Sequence, residues 1–400
     1  MTNTDTNKLL GEFSVNKAWS GRGSLGDLVA ELDRQKSARF DFVADTRSLG
    51  VKVDDRGPVL HSQGIETTEF IPKAGLPIGD EAIAQLGDRL APAIPRRFLR
   101  DLISDRPQIA EGLLTDLLHA TGKPNLVRCL DDKVRAFLSD RYQPVDNYEL
   151  AFTALEVARE QGGEVVECSL SEQNLRIKLT NRSVFDALDD VRTGTTGWFA
   201  GGIGNQKYLS RVAANTTGDL PGGPGTVHPL ITIGNSETGH GSSHCRLGIL
   251  KAICFNLATV ETVVQQVHLG GRLEPGIFSQ ETIRKDAEVV LCKAKDAITT
   301  AFSTERFQHI INLCKVAQDT PVQRTKVIDF VVGEGLITQD QRDSLLLYFA
   351  AESETAYGFA QAAARLAQDI ENGDTAADLE AFAGKVISKP STLPLVAVLA

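Results

Sequence analysis

The 400 residues carry 42% apolar and 24% charged side chains and a net charge of −10. That length supplies ample core for one elaborated domain or two ordinary ones, and the composition excludes wholesale disorder. The acidic balance excludes a general polyanion binder, so nucleic-acid contact has to come from a local basic patch or from a groove formed on assembly.

Six cysteines, Cys129, Cys168, Cys245, Cys254, Cys292 and Cys314, are scattered without a CxxC pair. That usage fits free thiols in a reducing cytosol. The opening ten residues are polar, which argues against a signal peptide. No run approaches the roughly 20 apolar residues of a membrane span. A cytoplasmic protein with no membrane contact is expected.

In chain order, residues 1–79 read as a small β-rich accessory region with a helix over 25–35, capped by Ser24, and strand-like alternation over 39–53. From Asp80 to His119 the period becomes helical. Its three apolar stripes are Ile83-Leu86-Leu90, Phe98-Leu99-Leu102-Ile103 and Leu113-Leu114-Leu117-Leu118, punctuated by Pro92, Pro95 and Pro107. Residues 126–130 and 133–138 then read as a hairpin around Asp131-Asp132, a poorer turn than Asp-Gly because its second position needs positive φ without glycine. A helix over 147–161 stops at Gly162, and a second hairpin, 164–170 with 175–180, completes a ββαββ unit. Residues 193–227 form a Gly-rich loop without periodicity. Strands resume at 229–234 and around 245–255. The last part, 271–400, is helical, with a capping-box match at Thr338-x-x-Gln341 and an uncharged tail over 393–400. The expected fold is α+β: a central domain over 80–270 built on an antiparallel sheet, followed by a helical C-terminal part.

Four ordered blocks carry a likeness. They are DEAIAQLGDRL…IPRRFLRDL from Asp80, NLVRCLDDKVRAFLSDRYQPVDNYEL from Asn125, ITIGNSETGHGSSHCRLGILKAICFN from Ile231 and TAYGFAQAAARLAQDI from Thr355. Together they resemble the phage- and plasmid-borne family labelled domain of unknown function 932, across roughly residues 80 to 390. Within it the most specific stretch is Arg135–Asp140–Arg141–Tyr142–Asp146–Asn147. The Asn-Ser-x-x-Gly element falls on Asn235-Ser236 and the Cys-x-Asn element on Cys254 and Asn256. What the resemblance implies is a setting, a mobile-element protein in a bacterial cytosol, and no reaction.

The chemistry-bearing candidates are basic. A simple hairpin register sets Arg128 opposite Arg135, on the face of Lys133, and like charges so placed destabilise a sheet unless an anion sits between them. That anion is either phosphate or a carboxylate such as Asp140 or Asp146. Arg141 and Tyr142 follow, a further donor and a ring on which a base could stack. Arg96, Arg97 and Arg100 crowd one helical turn, either as a phosphate-binding face or as a solvated one. Other motifs fail on context. Gly21-Arg22-Gly23-Ser24-Leu25-Gly26 matches GxGxxG without the strand a dinucleotide site needs before it. Asn235-Ser236-Glu237-Thr238-Gly239 lacks glycine two residues after serine, so it is no nucleophile elbow. His244 and Cys245 are neighbours in strand-like sequence and point apart. Neither a metal site on His240 and His244 nor a nucleotide cofactor is expected. The reading is single-stranded DNA binding or annealing by a homo-oligomer without catalysis; the alternative is an oligomeric interaction or counter-defence protein that binds a host protein.

Overall fold

The computed structural model describes residues 25–63, 70–90, 92–120, 122–139, 142, 145–187, 226–251, 257–266, 280–370 and 373–393. Ser24, Asp140, Arg141, most of the Gly-rich loop, Cys254 with Asn256, and the tail after Leu393 lie outside them.

The chain is α+β, and its sheets are antiparallel. Helix α1 (Leu25–Ala38) leads into β1 (Arg39–Asp45). The alternation over 39–53 divides in two because Asp45 accepts from the Arg47 amide at 2.9 Å and starts a short turn, after which β2 (Leu49–Asp54), β3 (Gly57–Ser62) and β4 (Leu76–Pro77) form a three-stranded sheet. The three apolar stripes become α2 (Asp80–Gly87), α3 (Arg96–Asp105) and α4 (Pro107–His119).

Strands β5 (Pro124–Leu130) and β6 (Lys133–Ser139) form the hairpin around Asp131 and Asp132, whose φ values are 54° and 55°. Both residues take the left-handed region that a two-residue hairpin turn needs, which aspartate tolerates better than most side chains. Arg34 on α1 holds the Asp131 carboxylate at 2.6 Å.

Helix α5 (Asn147–Glu160) stops at Gly162, with φ of 71°, and β7 (Glu164–Leu170) and β8 (Leu175–Thr180) follow. The ββαββ order is present, but its hairpins do not share a sheet. Strand β5 is covered by β1, giving the order β1-β5-β6. Strands β7 and β8 join β9 (Asp186–Ala187), β10 (Thr226–Asn235), β11 (Ser243–Lys251) and β12 (Leu257–Gln266) in a six-stranded sheet. Apolar burial separates them. Val127, Cys129, Val134 and Phe137 share a core with Phe42, Leu49, Leu60, Leu76, Leu86 and Leu114, so no core boundary falls at residue 79. Leu175, Ile177 and Leu179 belong to the larger core with Leu155, Ile231 and Leu247.

Strand β10 is buried at all ten positions, as befits a central strand covered on both faces. Helices α1, α5 and α6 (Gln280–Ala301) cover the apolar face of this sheet. The helical part continues with α7 (Thr304–Gln318), α8 (Arg324–Gly333), α9 (Gln339–Ala350), α10 (Ala356–Asp369) and α11 (Gly373–Ser388). The capping box at α9 forms as read: the Gln341 amide reaches Thr338 Oγ1 at 3.4 Å, and the Thr338 amide donates to Gln341 Oε1 at 2.8 Å. Ser303 caps α7 and Thr355 caps α10. Among the described residues, no helix is long and apolar enough to cross a membrane.

Candidate nucleic-acid interface

The hairpin arginines meet a set of acids at the junction of the two sheets. A bulge between Arg128 and Cys129 shifts the register, so Arg128 faces Ala136 and Asp41, not Arg135. The expected pair of facing arginines therefore does not form. Arg128 is 4% exposed. Its Nε donates to Asp41 at 3.0 Å, its Nη1 to the Glu237 carbonyl at 3.1 Å, and its Nη2 lies 3.6 Å from Asp146. Burial alone would lower its pKa, but Asp41, Glu237 and Asp146 outweigh it and raise it.

Arg135 donates to Glu237 Oε2 at 3.2 Å and to the Glu172 carbonyl at 3.2 Å. Arg39 pairs with Asp146. The other oxygen of Glu237 accepts the Asn147 amide at 2.8 Å, at the opening of α5. Tyr142 is 7% exposed and donates from its hydroxyl to the Ser236 carbonyl at 2.6 Å, so no base can stack on it.

The site expected from Arg128, Arg135 and Tyr142 is thus corrected: of the two anions left open, the carboxylate is the one present. It comes from Asp146, joined by Asp41 and Glu237, which sequence reading had missed. Asp41 had a legible signal, because its side of β1 carries Arg39 and Asp41 in alternation. Glu237, 109 residues from Arg128, had none. Arg141 lies outside the described residues. Lys133 is exposed, on the rim of a groove of about 490 Å³ lined also by Glu31, Arg34, Asp131, Arg135 and Glu172. With Asp27 also in its lining, acids outnumber bases there, so the groove does not favour a polyanion.

The junction does unite motifs that lie far apart in sequence. Asn235 donates to the Val145 carbonyl and to Asn147 Oδ1, both at 2.8 Å, and accepts from Ser243 at 2.6 Å. Gly239, with φ of 81°, ends the turn where a Cβ would meet Leu138 at 2.6 Å.

The histidine and cysteine pair points apart as read. Cys245 is buried in the apolar core, and burial pushes its thiol up to about 12, far from a nucleophilic thiolate. His244 lies over Gly234, where an added Cβ would stand 2.3 Å from the ring. His240 contacts Glu81 at 3.0 Å. Among the described residues, no group of three or more potential metal ligands gathers.

Burial, with Arg246 and Arg176 adding repulsion, holds His244 down to about 4 against an ordinary 6.5. The unfolded chain therefore takes up a proton that the folded chain refuses as pH falls from about 6.5 to about 4. Stability on the order of 3 kcal/mol drains away across that window. A His244→Phe variant should show a shallower acid limb in urea midpoints at pH 7 and 4.5. Equal acid losses in both proteins would dismiss the assignment.

On α3 the arginines diverge. Arg96 forms a two-pronged bridge to Glu81 at 2.8 and 2.9 Å, and so is committed within the protein. The side chains of Arg97 and Arg100 are 93% and 73% exposed, with their nearest acids, Asp101 and Asp80, at 3.8 and 3.9 Å. Phe98 beside them is 52% exposed. No protein-family model matches the chain, no curated protein matches it, and no solved structure does.

Proposed function

We propose that the chain contacts single-stranded nucleic acid through the outer face of α3, acting by binding or annealing without a nucleotide cofactor. The observation that carries this reading is Phe98, half exposed next to Arg97 on a helix fixed to the core by Leu99, with Arg100 about one turn on from Arg97. An accessible phenyl ring offers any base a stacking surface, and adjacent guanidinium groups suit the flanking phosphates. Contacts of 3.8 and 3.9 Å to exposed acids hold these arginines weakly, so a phosphate can displace them. The first turn of α3 has no side-chain cap and no acid, which adds unsatisfied amides and a positive dipole end at the same place. The likeness to the mobile-element family supports a phage or plasmid setting.

Fluorescence anisotropy with labelled oligo-dT tests it. Phe98→Ala should cost about 1–3 kcal/mol of binding, the worth of one stacked base. Changing Arg97 and Arg100 together to Ala should reduce the slope of log K against log salt by about 1.4, since each lost phosphate contact removes about 0.7 for a single strand. Unaltered binding in both variants sinks the reading. Absence of oligonucleotide binding in the wild type, together with a lower assembly mass for Phe98→Ala by light scattering, would assign this face to protein contacts instead.

A further inference from the structure

Between α2, the end of β6 and the turn before β11 lies a cavity of about 460 Å³. Arg89, Gln85, Phe137, Ser139, Tyr142 and Ser242 line it, with exposed Asp88 as the acid in its wall. Arg89 differs from the junction arginines in its company. Its Nη1 donates to the Leu117 and Leu118 carbonyls at 3.1 and 2.9 Å, and its Nη2 to Asn125 Oδ1 at 3.0 Å. All three acceptors are neutral, and among the described residues no carboxylate pairs with this guanidinium. Burial holds it down to about 10, so it remains charged at neutral pH.

Capping the last carbonyls of α4 accounts for two of these bonds, and Asn125 on β5 for the third. These bonds leave the Nε–H and the second Nη2–H, on a part-buried cation in a cavity wall, without an acceptor among the described residues. The Ser139 and Ser242 hydroxyls, on the same cavity, likewise have no partner among the described residues. A buried charge is ordinarily paired, and Arg128 on the neighbouring strand has three acids within reach. A guanidinium with no carboxylate partner among the described residues, in the wall of a hollow of ligand size, is a place where an anion would be stabilised.

We propose that this cavity receives the phosphate group of a small phosphomonoester, with Arg89 as its charge partner and the Ser139 and Ser242 hydroxyls as neutral donors. Donors from three separate elements suit a tetrahedral oxyanion better than a flat carboxylate. The volume exceeds what a bare phosphate fills and leaves room for a small organic body beside Phe137. The proposal is independent of strand binding by α3.

Isothermal titration of the full chain with inorganic phosphate, dTMP, thymidine and acetate tests it. Phosphate and dTMP should bind the wild type, and thymidine should not. Binding of dTMP at least tenfold tighter than phosphate identifies the ester, and equal affinities identify the free ion. Arg89→Lys keeps the charge but loses the planar fork, and should weaken both ligands at least tenfold. Because Arg89 also caps α4, Ser242→Phe is the second variant; it fills the hollow, leaves those bonds intact, and should weaken binding to the same extent. Acetate binding as tightly as phosphate, no binding of either phosphate probe to the wild type, or unchanged affinity in Ser242→Phe overturns the assignment.

Discussion

Replacing Arg128 with methionine is expected to remove about 3–5 kcal/mol of stability, the usual cost of deleting one member of a buried ionic network. The side chain is 4% exposed and ties three distant segments together: Asp41 on β1, Asp146 before α5, and the Glu237 carbonyl after β10. Without it, Asp146 keeps its pairing with Arg39, while Asp41 loses the guanidinium that holds it. Urea unfolding followed by far-ultraviolet ellipticity reads the loss. Arg97→Ala and Arg100→Ala, at exposed positions, should each change stability by no more than about 0.5 kcal/mol. Changing Asp41 to Leu in the Arg128→Met background should recover part of the loss, because it removes the orphaned charge. Equal stability in Arg128→Met and wild type would falsify the structural role. The folded fraction of Arg128→Met should bind oligonucleotide like the wild type, since this arginine faces the protein's own acids.

Local signals carried most of the elements. Prolines and apolar stripes separated α2, α3 and α4, and Thr338 with Gln341 marked α9 because each satisfies an amide of the other's turn. What escaped was non-local. The division of the two hairpins between sheets depends on β1 pairing with β5 across some 85 residues, and nothing in either hairpin announces that partner. Strand β12 was missed because LATVETVVQQ has neither clean alternation nor a turn signal before it.

The site was less legible for a related reason. A row of arginines reads the same whether its anion is a phosphate or a carboxylate folded in from elsewhere. Register decided it: one extra residue in β6 turned Arg135 away from Arg128 and toward Glu237, and a bulge leaves little trace in sequence. Arg97 and Arg100 retained their expected exposure because the helical period turns Arg97 opposite buried Leu99 and Arg100 to its flank. Arg89 drew no attention as a lone cation after a helix. Its interest comes from its neutral partners, two carbonyls and an amide oxygen, which only the fold brings together.

The same logic makes Lys178 the second severe position. Alternation in β8 puts Arg176, Lys178 and Thr180 on the polar side of the strand, yet Lys178 is 2% exposed because α11 lies over that face. Its ammonium donates to Glu167 on β7 at 3.0 Å and to both oxygens of Glu380 on α11, at 2.7 and 2.6 Å. Lys178→Met leaves two carboxylates together in a covered layer, and a loss of about 3–5 kcal/mol is expected at neutral pH. Proteolysis should also reach residues 373–388 sooner, since the Lys178–Glu380 contact fastens α11 to the sheet. Replacing Glu167 and Glu380 with Leu in the same protein should restore most of the loss, because the cost lies in stranded charge more than in lost attraction. If the triple variant is as unstable as Lys178→Met, packing of α11 rather than charge sets its hold. If Lys178→Met matches the wild type in urea, the triad contributes no net stability and the apolar contacts of Leu379 and Ala383 carry the helix.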